Sequence, residues 1–282
     1  MKTKNKDLQI FVLSFGRAEV PTLKLLACPS DAIVLTSVDN KFKDQIKTNG
    51  AQLLVFNKDD FRGRGLEMMN DASVPHRRSA VYAYNYAIEW GRTNGVRYVC
   101  VLDDDYTRAR TVNDRNKLLD GKEKAPRLDV WARHECSFLK AHPYVAATCA
   151  VNDGQLFANL RSAFFSNLDK RQLMNTIIFD VTKDHNFISL GNGDYVTQAI
   201  TNSASTDLIV RLQTLSIEME KIKDKRHQTI DYSDLFYSRW ALKMVAPAYS
   251  DVRILNAGRK SIMSSRFNSI WLNNSAPKII SL

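Results

Sequence analysis

Apolar positions in the first hundred residues of this chain come in short, nearly continuous runs rather than in strict alternation. Leu8–Phe15, Ala32–Ser37, Ala51–Phe56 and Val96–Leu102 are runs of this kind. All four read as strands, and Leu8–Phe15 as a buried one. The segments between them carry helix signals. Val20–Leu26 reads as a short helix with Pro21 in its first turn. Phe42–Thr48 reads as a helix stopped by Asn49-Gly50, and Ser79–Arg92 as a longer one stopped by Asn94-Gly95. Strands alternating with helices predict an α/β fold with a mostly parallel sheet flanked by helices.

The second half is less regular. Arg108–Arg127 is charged and weakly apolar, and reads as an irregular insertion. Val130–Ala141 reads as a helix and Tyr144–Val151 as a strand. Leu173–Val181 and Phe187–Leu190 read as strands, followed by the turn Gly191-Asn192-Gly193. Asp194 is then placed to cap a helix through about Thr201. Asp207–Met219 fits strand or helix, and the β-branched residues of its first half favour strand. Asp231–Lys243 has helical periodicity with Phe236, Tyr237 and Trp240 as anchors. Asn57–Pro75 has no clear period, and a loop of that length points to a functional role.

Composition bounds the class. Hydrophobic residues make up 44% of 282 positions and charged residues 25%, so a sizeable core is available. No apolar stretch is long enough to span a bilayer, so no transmembrane segment is expected. The four cysteines lack CxxC spacing, which argues against zinc and a disulfide framework and for a reducing, cytoplasmic location. The net charge of +10 is uneven: residues 1–107 carry +2, 108–133 carry +4, 134–210 carry −2 and 211–282 carry +6. Clustered positive charge suits a polyanionic partner such as nucleic acid or an anionic membrane. It also serves plain solubility.

The chemistry concentrates where the fourth strand ends in Leu102-Asp103-Asp104-Asp105. Three adjacent carboxylates repel one another unless something positive sits among them. A hard divalent cation, Mn²⁺ or Mg²⁺, takes such oxygen ligands and bridges to phosphates. Side chains alternate along a strand, so if the extended geometry continues past Asp103, Asp103 and Asp105 project the same way and can share one ion. Ligands of α/β proteins bind outside the carboxyl ends of strands. The plain alternative is an acidic turn. Arg17 follows the first strand and is placed to reach a base or phosphates. Asp39 follows the second, placed for a base or ribose, or as a turn-forming residue beside Asn40. Arg77 and Arg78 open a helix, where cations oppose the macrodipole and so invite an anion. A solvent-facing pair is the alternative.

The order of these parts resembles the nucleotide-sugar half of a GT-A glycosyltransferase, a Rossmann-like fold. The likeness rests on Arg77-Arg78, then Tyr84-Asn85-Tyr86 in the same helix, then Leu102-Asp103-Asp104-Asp105 as a D-x-D motif, and later Gly191-Asn192-Gly193-Asp194-Tyr195, over roughly residues 8–203. The later helix start has one acidic residue where the family pattern has two. The compact, basic form is further similar to the phage TET-associated glycosyltransferase group, which implies a hydroxymethylated pyrimidine in DNA as acceptor.

The resemblance implies a nucleoside-diphosphate sugar as donor, a UDP-sugar being favoured, bound by Arg17, Asp39, Arg77, Arg78, Asn85, Asp103 and Asp104. It implies Asp103 and Asp105 as metal ligands, with His227 as a further one and His185 as its competitor. Asp194 is the implied catalytic base, a role compatible with helix capping. Residues 1–107 form the nucleotide-sugar part and 108–282 the acceptor part of one continuous domain. Competing expectations are an envelope glycan or lipid as acceptor, or a non-catalytic nucleic-acid-binding protein. A sugar nucleotidyltransferase is disfavoured, because Gly16-Arg17 is too little for a glycine-rich phosphate loop.

Overall fold

The computed structural model describes residues 7–61, 81–111, 127–152, 176–183 and 208–219. The features expected within residues 62–80, 112–126, 153–175, 184–207 and 220–282 lie outside the described residues.

Four parallel strands form one half of an eight-stranded sheet: β1 (Leu8–Leu13), β2 (Ala32–Ser37), β3 (Gln52–Phe56) and β4 (Tyr98–Asp103). The other half holds β5 (Tyr106–Thr111), β6 (Val145–Asn152), β7 (Ile177–Asp180) and β8 (Leu208–Met219). The order across the sheet is β3-β2-β1-β4-β7-β6-β8-β5. β7 pairs antiparallel with both β4 and β6, β8 runs parallel to β6, and β5 runs antiparallel to β8. The fold is therefore α/β with a mostly parallel, Rossmann-like central sheet. After β1 the chain builds outward to β2 and β3, then returns to place β4 on the other side of β1. The gap between the ends of β1 and β4 is thus a topological switch point.

β1 and β4 lie side by side in register, with Val12 opposite Leu102 and Leu13 opposite Asp103. Their residues alternate between two cores. Ile10, Val12, Cys100 and Leu102 join one core, and Phe11, Val99 and Val101 the other. Burial on both faces explains why these strands read as nearly continuous apolar runs. Helix α1 (Val81–Thr93) covers one face with Tyr82, Tyr84, Ala87 and Ile88. It packs so closely that a Cβ at Gly91 would lie 2.7 Å from Val99 Cγ2. Helix α2 (Leu128–Ala141) covers the other face with Leu128, Trp131, Ala132, Cys136 and Leu139, an i, i+3, i+4 stripe.

Two expectations differ from the structure. Phe42–Thr48 is not a helix; only a 3-10 turn at Lys43–Gln45 forms. The Asn40 side chain takes the Phe42 amide, and the Lys47 amide bonds Ala18 O, so the amides are drawn into tertiary contacts. The start of the expected insertion at Arg108 is not irregular; it belongs to β5, an edge strand paired to Leu215–Met219 of β8. Its charges are accommodated because Arg110 pairs with Glu218 across the ladder at 3.2 Å. Among the described residues, no helix is long and apolar enough to cross a membrane.

Candidate functional site

The carboxyl ends of β1, β2, β3 and β4 meet at one edge of the sheet, and polar side chains gather there. β4 delivers Asp103 as its last residue, Asp104-Asp105 form a two-residue turn, and Tyr106 starts β5. Burial alternates through the triplet: Asp103 and Asp105 are half-buried, and Asp104 between them is buried. Arg17, in the turn after β1, approaches Asp104 with Nε 3.4 Å from Oδ1. That turn needs Gly16, whose φ of +83° lies in the region that side chains disfavour.

Asp104 is poorly compensated for a buried carboxylate. Burial pushes its pKa up to about 7, Asp105 adds to the rise, and Arg17 with the Ser14 hydroxyl and Phe15 amide only partly offset it. By geometry, neither Asp104 Oδ2 nor Ser14 Oγ completes a hydrogen bond among the described residues. These two buried oxygens face the cost of desolvation at the β1/β4 switch point.

The ends of β2 and β3 add a second group. Asp39 accepts hydrogen bonds from Ser37 Oγ and, at 3.0 Å, from Lys58 Nζ. Burial opposes its charge, but those two donors outweigh it and hold its pKa below the ordinary carboxylate value. Lys58, buried although charged, also lies 4.5 Å over the Phe15 ring. Asn40 ties the β1 and β2 ends together. Its Oδ1 accepts from the Gly16 amide at 3.2 Å, and its Nδ2 donates to Thr36 Oγ1 at 2.8 Å. A chain of contacts therefore runs from Asp39 through Lys58 and Phe15 to the Arg17–Asp104 pair.

Of the sequence-predicted residues, Arg17, Asp39, Asp103, Asp104 and Asp105 stand on this edge. Asn85 is buried in the second turn of α1, beside Tyr86, which stacks on Phe56 at the end of β3. Arg77, Arg78, Asp194 and His227, with the competing His185, lie outside the described residues. Ser14, Lys58 and Asn40 were missed as site residues, because their partners come from other strands and no local pattern marks them. The strand ends at Asp103, so the extended geometry that would point Asp105 the same way does not continue, and Asp105 Oδ1 is buried. The two carboxylates are nonetheless hard oxygen donors of the kind that Mg²⁺ or Mn²⁺ takes together with phosphate and water. Among the described residues no three His, Cys, Asp or Glu side chains converge on one point.

No protein-family profile matches the chain, and no curated protein matches it significantly in sequence. Solved structures do align with it. A protein from STIV aligns over 76% of this chain and 85% of its own, at TM-score 0.37 and 11% identity. CTP-bound CMP:2-keto-3-deoxy-manno-octonic acid synthetase aligns over 84% of this chain and 99% of its own, at TM-score 0.38 and 8% identity. A protein provisionally described as a nucleotide-diphospho-sugar transferase, from Desulfovibrio desulfuricans, aligns over 85% and 98%, at TM-score 0.37 and 9% identity. Likenesses this distant assign no activity to the chain.

Proposed function

We propose that the chain is a metal-dependent glycosyltransferase. It moves a sugar from a nucleoside-diphosphate sugar, a UDP-sugar by preference, to a hydroxyl acceptor, a hydroxymethylated pyrimidine in DNA. The observation that carries the reading is the meeting of Arg17 with the Asp103–Asp105 triplet at the β1/β4 switch point. A guanidinium beside carboxylates suits a site that handles phosphate and a divalent cation together. The strand order, with its polar residues at the carboxyl edge, is what a nucleotide-binding α/β protein needs.

In this reading Asp103 and Asp105 hold Mn²⁺ or Mg²⁺, with His227 as a further ligand. When bound, the cation supplies Lewis-acid stabilisation of the leaving diphosphate. Arg17, Arg77, Arg78 and Asn85 orient the diphosphate. Asp39, kept charged by Ser37 and Lys58, accepts hydrogen bonds from the base or ribose. Asp104 faces the ribose or sugar, and Asp194 takes the acceptor proton. Residues 108–282 form the acceptor side, and the +6 charge of residues 211–282 suits the phosphates of DNA.

The test is to incubate the protein with UDP-sugars, Mn²⁺ and DNA with or without hydroxymethylated pyrimidines, and to weigh the digested nucleosides. The reading predicts a sugar-sized mass gain on the hydroxymethylated base, with release of UDP, and none with Asp105→Ala. In a parallel incubation with a nucleoside triphosphate and a sugar or sugar phosphate, release of pyrophosphate would instead identify nucleotidyl transfer. Donor turnover without change to the DNA would retain the transferase and remove the DNA acceptor.

A further inference from the structure

The acidic turn is not held by its own strand alone. Thr22 lies in the 3-10 turn Pro21–Leu25 and is fully buried. Its hydroxyl donates to Asp103 O at 2.6 Å and accepts from the Tyr106 amide at 3.0 Å. Its own amide donates to Asp104 O at 3.3 Å. One residue thereby brackets both ends of the Asp104-Asp105 turn and touches its middle. A hydroxyl is needed for this, since only a group that both donates and accepts can satisfy the Asp103 carbonyl and the Tyr106 amide together.

The 3-10 turn that carries Thr22 is itself braced from below. Asp129 of α2, buried, accepts the Ala27 amide at 2.8 Å, and Arg127 donates to Lys24 O at 2.9 Å. The support therefore runs from α2 through residues 22–27 to the triplet. A cation held by two carboxylates one residue apart depends on the backbone path between them, and that path is what Thr22 sets.

We infer that Thr22 is a positioning residue that pre-forms the Asp103–Asp105 turn for divalent-cation and diphosphate binding. This inference rests on the cation reading given above. Loss of a group that orients ligands lowers metal affinity by about 10- to 100-fold.

The experiment titrates Mn²⁺ into wild type, Thr22→Val and Thr22→Ser, with UDP present, reading bound Mn²⁺ by electron paramagnetic resonance. Amide hydrogen exchange at Tyr106 is followed in parallel. The expected result is a fall of at least about tenfold in Mn²⁺ affinity in T22V, near-complete rescue in T22S, and faster exchange of the Tyr106 amide in T22V only. Wild-type Mn²⁺ affinity in T22V, with the Tyr106 amide deprotected, overturns the positioning role and leaves the cation site standing. No Mn²⁺ binding by the wild type overturns the cation site and this inference with it. An arm without substitutions guards against a T22V protein that does not fold. In the wild type, Mn²⁺ with UDP must slow exchange at Tyr106 more than at Val101 in mid-β4; equal slowing overturns the inference.

Discussion

Two buried aspartates at opposite ends of the same strands behave in opposite ways. Asp180, at the end of β7, stands beside the amino end of β4, opposite Tyr98. It accepts two hydrogen bonds from Arg97, at 3.1 and 2.9 Å, and two more from the Thr182 amide and hydroxyl. Burial opposes its charge, but these donors outweigh it, and its pKa lies below the ordinary value. Asp104, at the carboxyl end of β4, is buried almost as fully, but its long contact with Arg17, helped by Ser14 and the Phe15 amide, does not offset burial, and its pKa is pushed up to about 7. One end of the sheet satisfies its carboxylate and so holds the fold together. The other leaves its carboxylate under-satisfied, with Oδ2 lacking a partner among the described residues.

One test of this contrast is Asp180→Ala. It leaves Arg97 and Thr182 without their acceptor. Arg97 keeps access to water, so we expect a loss of about 2–3 kcal/mol rather than the larger loss of a fully buried pair. Urea unfolding checks it; a loss below about 1 kcal/mol would mean the amino edge is not the stabilising one.

The largest expected effect lies in two pH dependences of opposite sign. Asp104 has a folded pKa above its unfolded value of about 4, so between about pH 4 and 7 the folded state binds a proton the unfolded state has released. Its contribution to stability therefore falls as pH rises through that window. Relative to Asp104→Asn, the wild type should lose on the order of 4 kcal/mol between about pH 4 and 8. Asp180 runs the other way. Its stabilisation is present above about pH 4 and is lost as pH falls through its lowered folded pKa. Unfolding free energies of the wild type, D104N and D180N across pH would reveal the two slopes, and slopes of the same sign would erase the distinction.

Thr22→Val should cost about 1–2 kcal/mol in denaturant unfolding, because Asp103 O and the Tyr106 amide lose a buried partner. Thr22→Ser should recover most of it. The smallest effect is at the β2 and β3 ends. Lys58→Met removes one hydrogen bond and one cation contact from Asp39 and Phe15, and is expected to cost about 1 kcal/mol. It should also raise the Asp39 pKa, which carboxylate chemical shifts would register by NMR.

How much of this was visible beforehand follows from where each partner lies. β1, β2 and β4 were legible because strands covered on both faces leave nearly continuous apolar runs. The triplet stood out because three adjacent like charges demand an explanation. β5 was hidden, since its Arg108 and Arg110 suggest solvent and its partner strand lies more than a hundred residues away. Thr22 was invisible for the same reason. Its partner Asp103 is 81 positions distant, and a lone threonine after a proline announces only a turn. The expected helix at Phe42–Thr48 failed because local propensity lost to the side chain of Asn40. Sequence periodicity thus reports which faces are buried, while the geometry of the site depends on contacts between strand ends that only the sheet order brings together.

The most direct measurement is calorimetric titration of UDP into the wild type, Asp105→Ala and Asp180→Asn, each with Mn²⁺ and with chelator. UDP should bind the wild type only with Mn²⁺, at least about tenfold more weakly to D105A, and with unchanged affinity to folded D180N. Equal binding by D105A, or no binding of UDP or any other nucleoside diphosphate by the wild type, would contradict the cation reading and leave the acidic triplet as a structural turn.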